Sequence, residues 1–262
     1  MRVFLVLIVG LVAAGCSGGG SSAPQSTVRV AAAADLKFAF DDLIAAFRTE
    51  RPDIAVRVTF GASGEFFAQL SNGAPFDMFL SADVAYPRKL VEQGHGVSGS
   101  EFIYAIGHLV VWAPKSSMLE MDKRGLAALA DPSVRTIAIA NPRHAPYGRA
   151  AEAALKHAGI YEQIKDRLVF GENVAQAAQF AESGAADVGL IAMSLALSPK
   201  MLDNGRHWKV PADAYPRLEQ GGLILKGTKH MAASQALRDY LMSEERRAVL
   251  DKFGFARPDT RR

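Results

Sequence analysis

Four short runs place small or hydroxyl-bearing residues where an apolar strand pattern gives way to a helical one: Ala34-Asp35, Ala62-Ser63-Gly64, Pro146-Tyr147-Gly148 and Asn173-Val174. The first turn of a helix has N–H groups with no partner inside the helix, and small residues let an anion approach them closely. Such a set can hold an oxyanion with uncharged donors. Each run taken alone also reads as an ordinary helix cap, and Asn173 with Gln176 has the capping-box spacing in its own right. The four together carry the anion reading. Arg143 and His144, just before the third run, read either as an attraction for anions or as solvated surface.

Covalent and acid–base chemistry find little support. Gly61-Ala62-Ser63-Gly64 lacks the Gly-x-Ser-x-Gly spacing of a nucleophile elbow, no His-Glu-x-x-His occurs, and there is no Walker phosphate loop. The six histidines are scattered, and one cysteine excludes cysteine-rich zinc sites. The carboxylate pairs Asp41-Asp42 and Glu244-Glu245 fall on predicted helix exteriors. The chain therefore reads as a binder rather than an enzyme, with no cofactor and no metal of its own.

The elements that must position these runs follow from hydrophobic period. Val28–Ala33 reads as a strand, and Leu36, Phe40, Leu43, Ile44 and Phe47 form one helix face, with Asp35 as its expected N-cap. Further strands are expected at Ile54–Phe60, Phe76–Leu80, Leu109–Ala113, Thr136–Ala140, Leu168–Phe170, Val188–Ala192 and Gly222–Leu225. Helices fall between them at Glu65–Leu70, Pro87–Gln93, Gly125–Ala130, Arg149–His157 and Val174–Glu182, with two closing helices at Ser234–Met242 and Glu244–Lys252. Alternation of this kind gives an α/β fold with parallel strands flanked by helices. No Pro/Gly-rich linker divides the body once, so two crossings between lobes are expected.

The N-terminus carries Arg2, an apolar run from Val3 to Ala14, and Cys16 after small residues, the pattern of an export signal over 1–15 with a lipobox-like end. Lipidation at Cys16 is expected, followed by a Ser/Gly-rich tether over 16–27 and a tail at 258–262. A formal net charge of +3 on 262 residues, with the basic residues dispersed, gives no nucleic-acid surface.

The runs AAAADLKFAF (Ala31–Phe40), FGASG (Phe60–Gly64), GAPFDMFLSAD (Gly73–Asp83), NPRHAPYG (Asn141–Gly148) and GENV (Gly171–Val174) resemble the periplasmic molybdate-binding proteins of ABC transporters, over nearly the whole body from Val28 to about Phe255. The resemblance implies a type II periplasmic-binding-protein fold, each lobe a mixed, mostly parallel sheet: 28–106 with 215–257 as one lobe, 107–214 as the other. It implies a periplasmic monomer that takes molybdate or tungstate and passes it to an inner-membrane permease. The site would use the Ser63 hydroxyl and N–H, the N–H groups of Tyr147 and Val174, and the Ala34-Asp35 loop.

Asp35 stands where the family commonly has Ser, Thr or Asn. A carboxylate about 4 Å from a dianion is repelled by several kcal/mol. Asp35 therefore turns away to cap its helix, or is protonated and donates, or reports another ligand such as phosphate, sulfate or a metal ion. The family's iron-binding relatives use adjacent tyrosines, and none of the six here is adjacent to another. A non-transport lipoprotein is the remaining class. Tyr215 to Gln220 is a candidate hinge segment.

Overall fold

The computed structural model describes residues 26–258; the expected export signal, Cys16, most of the expected tether and 259–262 lie outside the described residues. Ten strands form two five-stranded sheets. They are β1 (Ser26–Ala33), β2 (Ile54–Gly61), β3 (Met78–Ser81), β4 (Phe102–Gly107), β5 (Leu109–Pro114), β6 (Ile137–Ala140), β7 (Leu168–Gly171), β8 (Val188–Ala192), β9 (Gly205–Lys209) and β10 (Leu218–Ile224).

The strand orders are β2-β1-β3-β10-β4 and β7-β6-β8-β5-β9. In the first sheet β1 runs parallel to β2 and β3, while β10 is antiparallel to β3 and β4. In the second, β6 runs parallel to β7 and β8, while β5 is antiparallel to β8 and β9. Each sheet is thus a parallel trio built by helical crossovers, extended by a strand that enters from the other sheet and runs the opposite way. Parallel pairing covers two of the four neighbour pairs in each sheet, so reading strand–helix alternation as parallel describes the trios only. The chain crosses once at His108 and again between β9 and β10.

The inner strands of the trios read clearly because they are buried on both faces, whereas the outer strands β2 and β7 are only partly buried. In β1, Val28 and Val30 to Ala33 are buried, and β8 is buried throughout. The helix Lys37–Glu50 packs Phe40, Leu43 and Phe47 against one face of the first sheet, with Leu237, Leu241 and Leu250 of the closing helices in the same cluster. Phe66, Leu70, Phe79 and Leu90 cover the opposite face. Truncating one such leucine to alanine costs roughly 2–5 kcal/mol.

Three differences from the sequence reading have physical causes. First, β4 was not expected, because only His108 separates it from β5 and the two read as one apolar stretch; the polar edge strand β9 was missed as well. Second, β1 starts at Ser26, whose backbone pairs with Ile54, so its first two residues replace the end of the expected tether. Third, Asp35 does not cap the helix. It lies inside a 3-10 turn, Ala34–Leu36, and the helix after it has no side-chain cap. No helix among the described residues is long and apolar enough to cross a membrane.

Candidate anion site between the lobes

The carboxyl ends of both parallel trios face one narrow cleft, and all four runs singled out in the sequence line it, including Ala34, Asp35, Ser63, Tyr147 and Val174. Among the described residues, no cationic side chain lines it. The lobes meet around it: the Gly64 N–H donates to the His144 carbonyl at 2.8 Å, Arg149 Nη2 pairs with Asp83 Oδ2 at 2.7 Å, and Ser194 Oγ donates to the Asp35 carbonyl at 2.7 Å.

The second lobe supplies backbone donors. Helix Pro146–His157 begins with a proline, which has no N–H, so Tyr147 offers the first one of that helix. Gly148 lets the turn close, since a Cβ there would lie 2.2 Å from the Ala140 carbonyl oxygen. Helix Val174–Ser183 is capped by Asn173, whose Oδ1 accepts from Ala175 and Gln176 at 3.0 and 3.1 Å. The cap takes those two donors and not the Val174 N–H. Gln176 reaches back to the Glu172 N–H at 2.7 Å, one residue before the position a capping box uses.

In the first lobe, helix Ser63–Ser71 follows Ala62 and has no side-chain cap. The buried Ser63 Oγ accepts the Ala82 N–H at 3.0 Å, which keeps its O–H available to donate into the cleft. Asp35 is 1 % exposed. Its Oδ2 accepts from Gln220 Nε2 at 2.7 Å, while Oδ1 is buried without a partner. Burial pushes the carboxyl up from 3.8 to about 6, against the lowering pull of the hydrogen bond from Gln220.

Around Asp35 lies a polar cluster that sequence reasoning missed. Tyr104 Oη is 3.0 Å from Gln220 Oε1 and 3.2 Å from the Ser81 carbonyl, and Gln220 Nε2 is 3.4 Å from Tyr147 Oη. Burial first, and the Asp35 charge second, push both phenols well above their usual value. The β10 register shifts between Gln220 and Gly221, the irregularity next to this buried amide. Gly107, where the chain crosses, leaves room for the cluster: a Cβ there would sit 2.3 Å from Tyr147 Oη. Tyr215, in the second crossing, accepts the Leu109 N–H from the first at 3.1 Å. Gln220 entered the sequence reading only as the end of the candidate hinge segment Tyr215 to Gln220, whose last three residues instead open β10.

Residues 28–256 match the family described as bacterial extracellular solute-binding protein. The chain belongs to that family. Among relatives of this solute-binding protein, the molybdate-binding protein ModA of Azotobacter vinelandii is 38% identical over 234 residues, 89% of this chain and 91% of the relative. ModA of Rhodobacter capsulatus is 38% identical over 212 residues, 81% of each chain. The solved Azotobacter vinelandii periplasmic molybdate-binding protein superposes with a TM-score of 0.83 at 33% identity, covering 88% of this chain and all of that one.

Proposed function

We propose that the protein is the substrate-binding component of an ABC transporter, capturing molybdate or tungstate outside the cytoplasm and delivering it to a membrane permease. The observation that carries this reading is the convergence of four helix-start loops, from both lobes, on one small cleft that, among the described residues, has no cationic side chain in its lining. Ser63, Tyr147 and Val174 would donate to the oxyanion, with Ala34 and Asp35 closing the first side. Neutral donors can hold a dianion in a dry cleft and release it when the lobes part. The lobes 28–106 with 215–257 and 107–214 would open about the two crossings, which Tyr215 ties together. Lipidation at Cys16 would tether the monomer to a membrane.

Asp35 fits this reading in its protonated form. Ionised, it would oppose the ligand by about 4 kcal/mol per unit charge at 4 Å and intermediate dielectric. Neutral, the carboxyl oxygen that has no protein partner becomes a donor. The same unpartnered oxygen favours a second reading, a hydrogen oxyanion such as phosphate, whose own proton an ionised Asp35 would accept.

Thermal melts of the purified protein with molybdate, tungstate, sulfate, phosphate and ferric citrate separate the readings. Saturation at a hundred times Kd adds about 2.7 kcal/mol. A shift with molybdate or tungstate is expected; a shift with phosphate alone would replace the first reading by the second.

A further inference from the structure

Close in sequence to the proposed anion donors but not among the residues that line the cleft, Glu65, His144 and Glu172 bring one ligand atom each to within 4.8 Å of one another. His144 Nε2 is 3.3 Å from Glu65 Oε1 and 3.8 Å from Glu172 Oε2. A tetrahedral zinc ion with bonds of about 2.0–2.2 Å holds its donors roughly 3.3 Å apart. The spacing found needs only small movements of two carboxylates that reach solvent. The same nitrogen is 2.9 Å from the Glu172 carbonyl oxygen, so without a cation its proton goes to the backbone and two carboxylates share one imidazole. With the proton on Nδ1 instead, the Nε2 lone pair faces both carboxylates.

The three residues come from both lobes. Glu65 lies in the first turn of helix Ser63–Ser71; His144 and Glu172 lie in the loops after β6 and β7. Each sits two or three residues from a proposed anion donor: Glu65 from Ser63, His144 from Tyr147, Glu172 from Val174. The Gly64 N–H bonded to the His144 carbonyl fixes the two sides by main chain, so the donor set exists only where the cleft is shut.

We propose that Glu65, His144 and Glu172 form a site for a divalent transition-metal cation of zinc type that bridges the two lobes over the closed cleft. A cation that binds only the closed form favours retention of the anion beneath it, and linkage makes the effect mutual. The coupling rests on the anion reading above; the bridge itself does not.

The test uses purified protein stripped with a chelator, titrated with Zn²⁺ by calorimetry and with Co²⁺ by visible absorption, each with and without saturating molybdate. One Zn²⁺ per chain is expected, bound at least about fivefold more tightly with molybdate present, the lower end of ordinary coupling. Co²⁺ should give the intense visible bands of a tetrahedral site, lost in His144→Ala. Glu65→Gln should retain weakened metal binding that no longer responds to molybdate. Both variants should show the wild-type molybdate melt shift in chelator, which establishes that they fold. Absence of one-to-one Zn²⁺ binding, or wild-type binding in His144→Ala, overturns the site. Equal Zn²⁺ affinity with and without molybdate, where molybdate itself binds, overturns the bridge. If molybdate does not bind at all, the anion reading fails, and the bridge is then decided by scattering: Zn²⁺ alone should compact the wild type and leave Glu65→Gln unchanged. Failure to compact the wild type overturns it.

Discussion

The two lobes have the same strand topology and face the cleft with the same kind of junction, yet they equip it differently. The second lobe is orderly: Pro146 removes a surplus N–H, Asn173 caps its helix, and the proposed donors at Tyr147 and Val174 belong to the main chain. The first lobe leaves helix Ser63–Ser71 uncapped and buries Asp35 with one oxygen unpartnered. Backbone donors are fixed by the fold and indifferent to pH. A buried carboxyl is neither, so the contrast puts the cleft's pH response in one lobe.

The harshest way to break the contrast is Gly148→Val, which drives a side chain into the Ala140 carbonyl and should cost about 3 kcal/mol of stability in denaturant melts, with loss of anion binding. A variant of wild-type stability would mean the turn is not as tight as the second lobe's donors require.

Asp35→Asn probes the other lobe on a comparable scale. Between 3.8 and about 6 the folded protein keeps a proton that the unfolded chain has released, so stability falls as pH rises through that window. Above it the loss is complete at about 3 kcal/mol. The variant should match the wild type near pH 4 and exceed it by up to that amount at pH 8, as urea titrations across pH would show. Wild-type anion Kd should rise about tenfold per pH unit above 6 and stay flat in the variant. Parallel pH profiles for the two proteins would remove Asp35 from the account.

Ser63→Ala deletes one hydroxyl donor to a charged ligand and should raise Kd about tenfold by calorimetry, with little change in fold. Smallest of all, Asn173→Ala makes the second lobe resemble the first and should lower stability by about 1 kcal/mol. Ala62→Asn, adding a cap to the first lobe, should recover a similar amount, and thermal melts of the pair would sharpen the comparison.

Much of this was legible in local pattern. Strands buried on both faces gave themselves away as apolar runs, and Pro146, Asn173 and Ser63 announced helix starts by residue type. What escaped depends on distance along the chain. Gln220 meets Asp35 across 185 positions, so nothing near Asp35 indicates that its side chain has a better partner than its own helix. N-cap preference pointed the wrong way for that reason. His108 hides a change of sheet inside what reads as a single strand, because the hydrophobic period says a segment is extended but not which neighbour it pairs with.

The exchange of strands between sheets bears on the order in which the molecule assembles. The second sheet is drawn from one unbroken stretch, β5 to β9, and can close as soon as that stretch is available. The first must keep a gap between β3 and β4 until β10 arrives from beyond the second sheet. Closing that long loop brings its entropic cost late. The half of the cleft that carries Asp35 is therefore expected to be completed last, on a scaffold whose other half already stands.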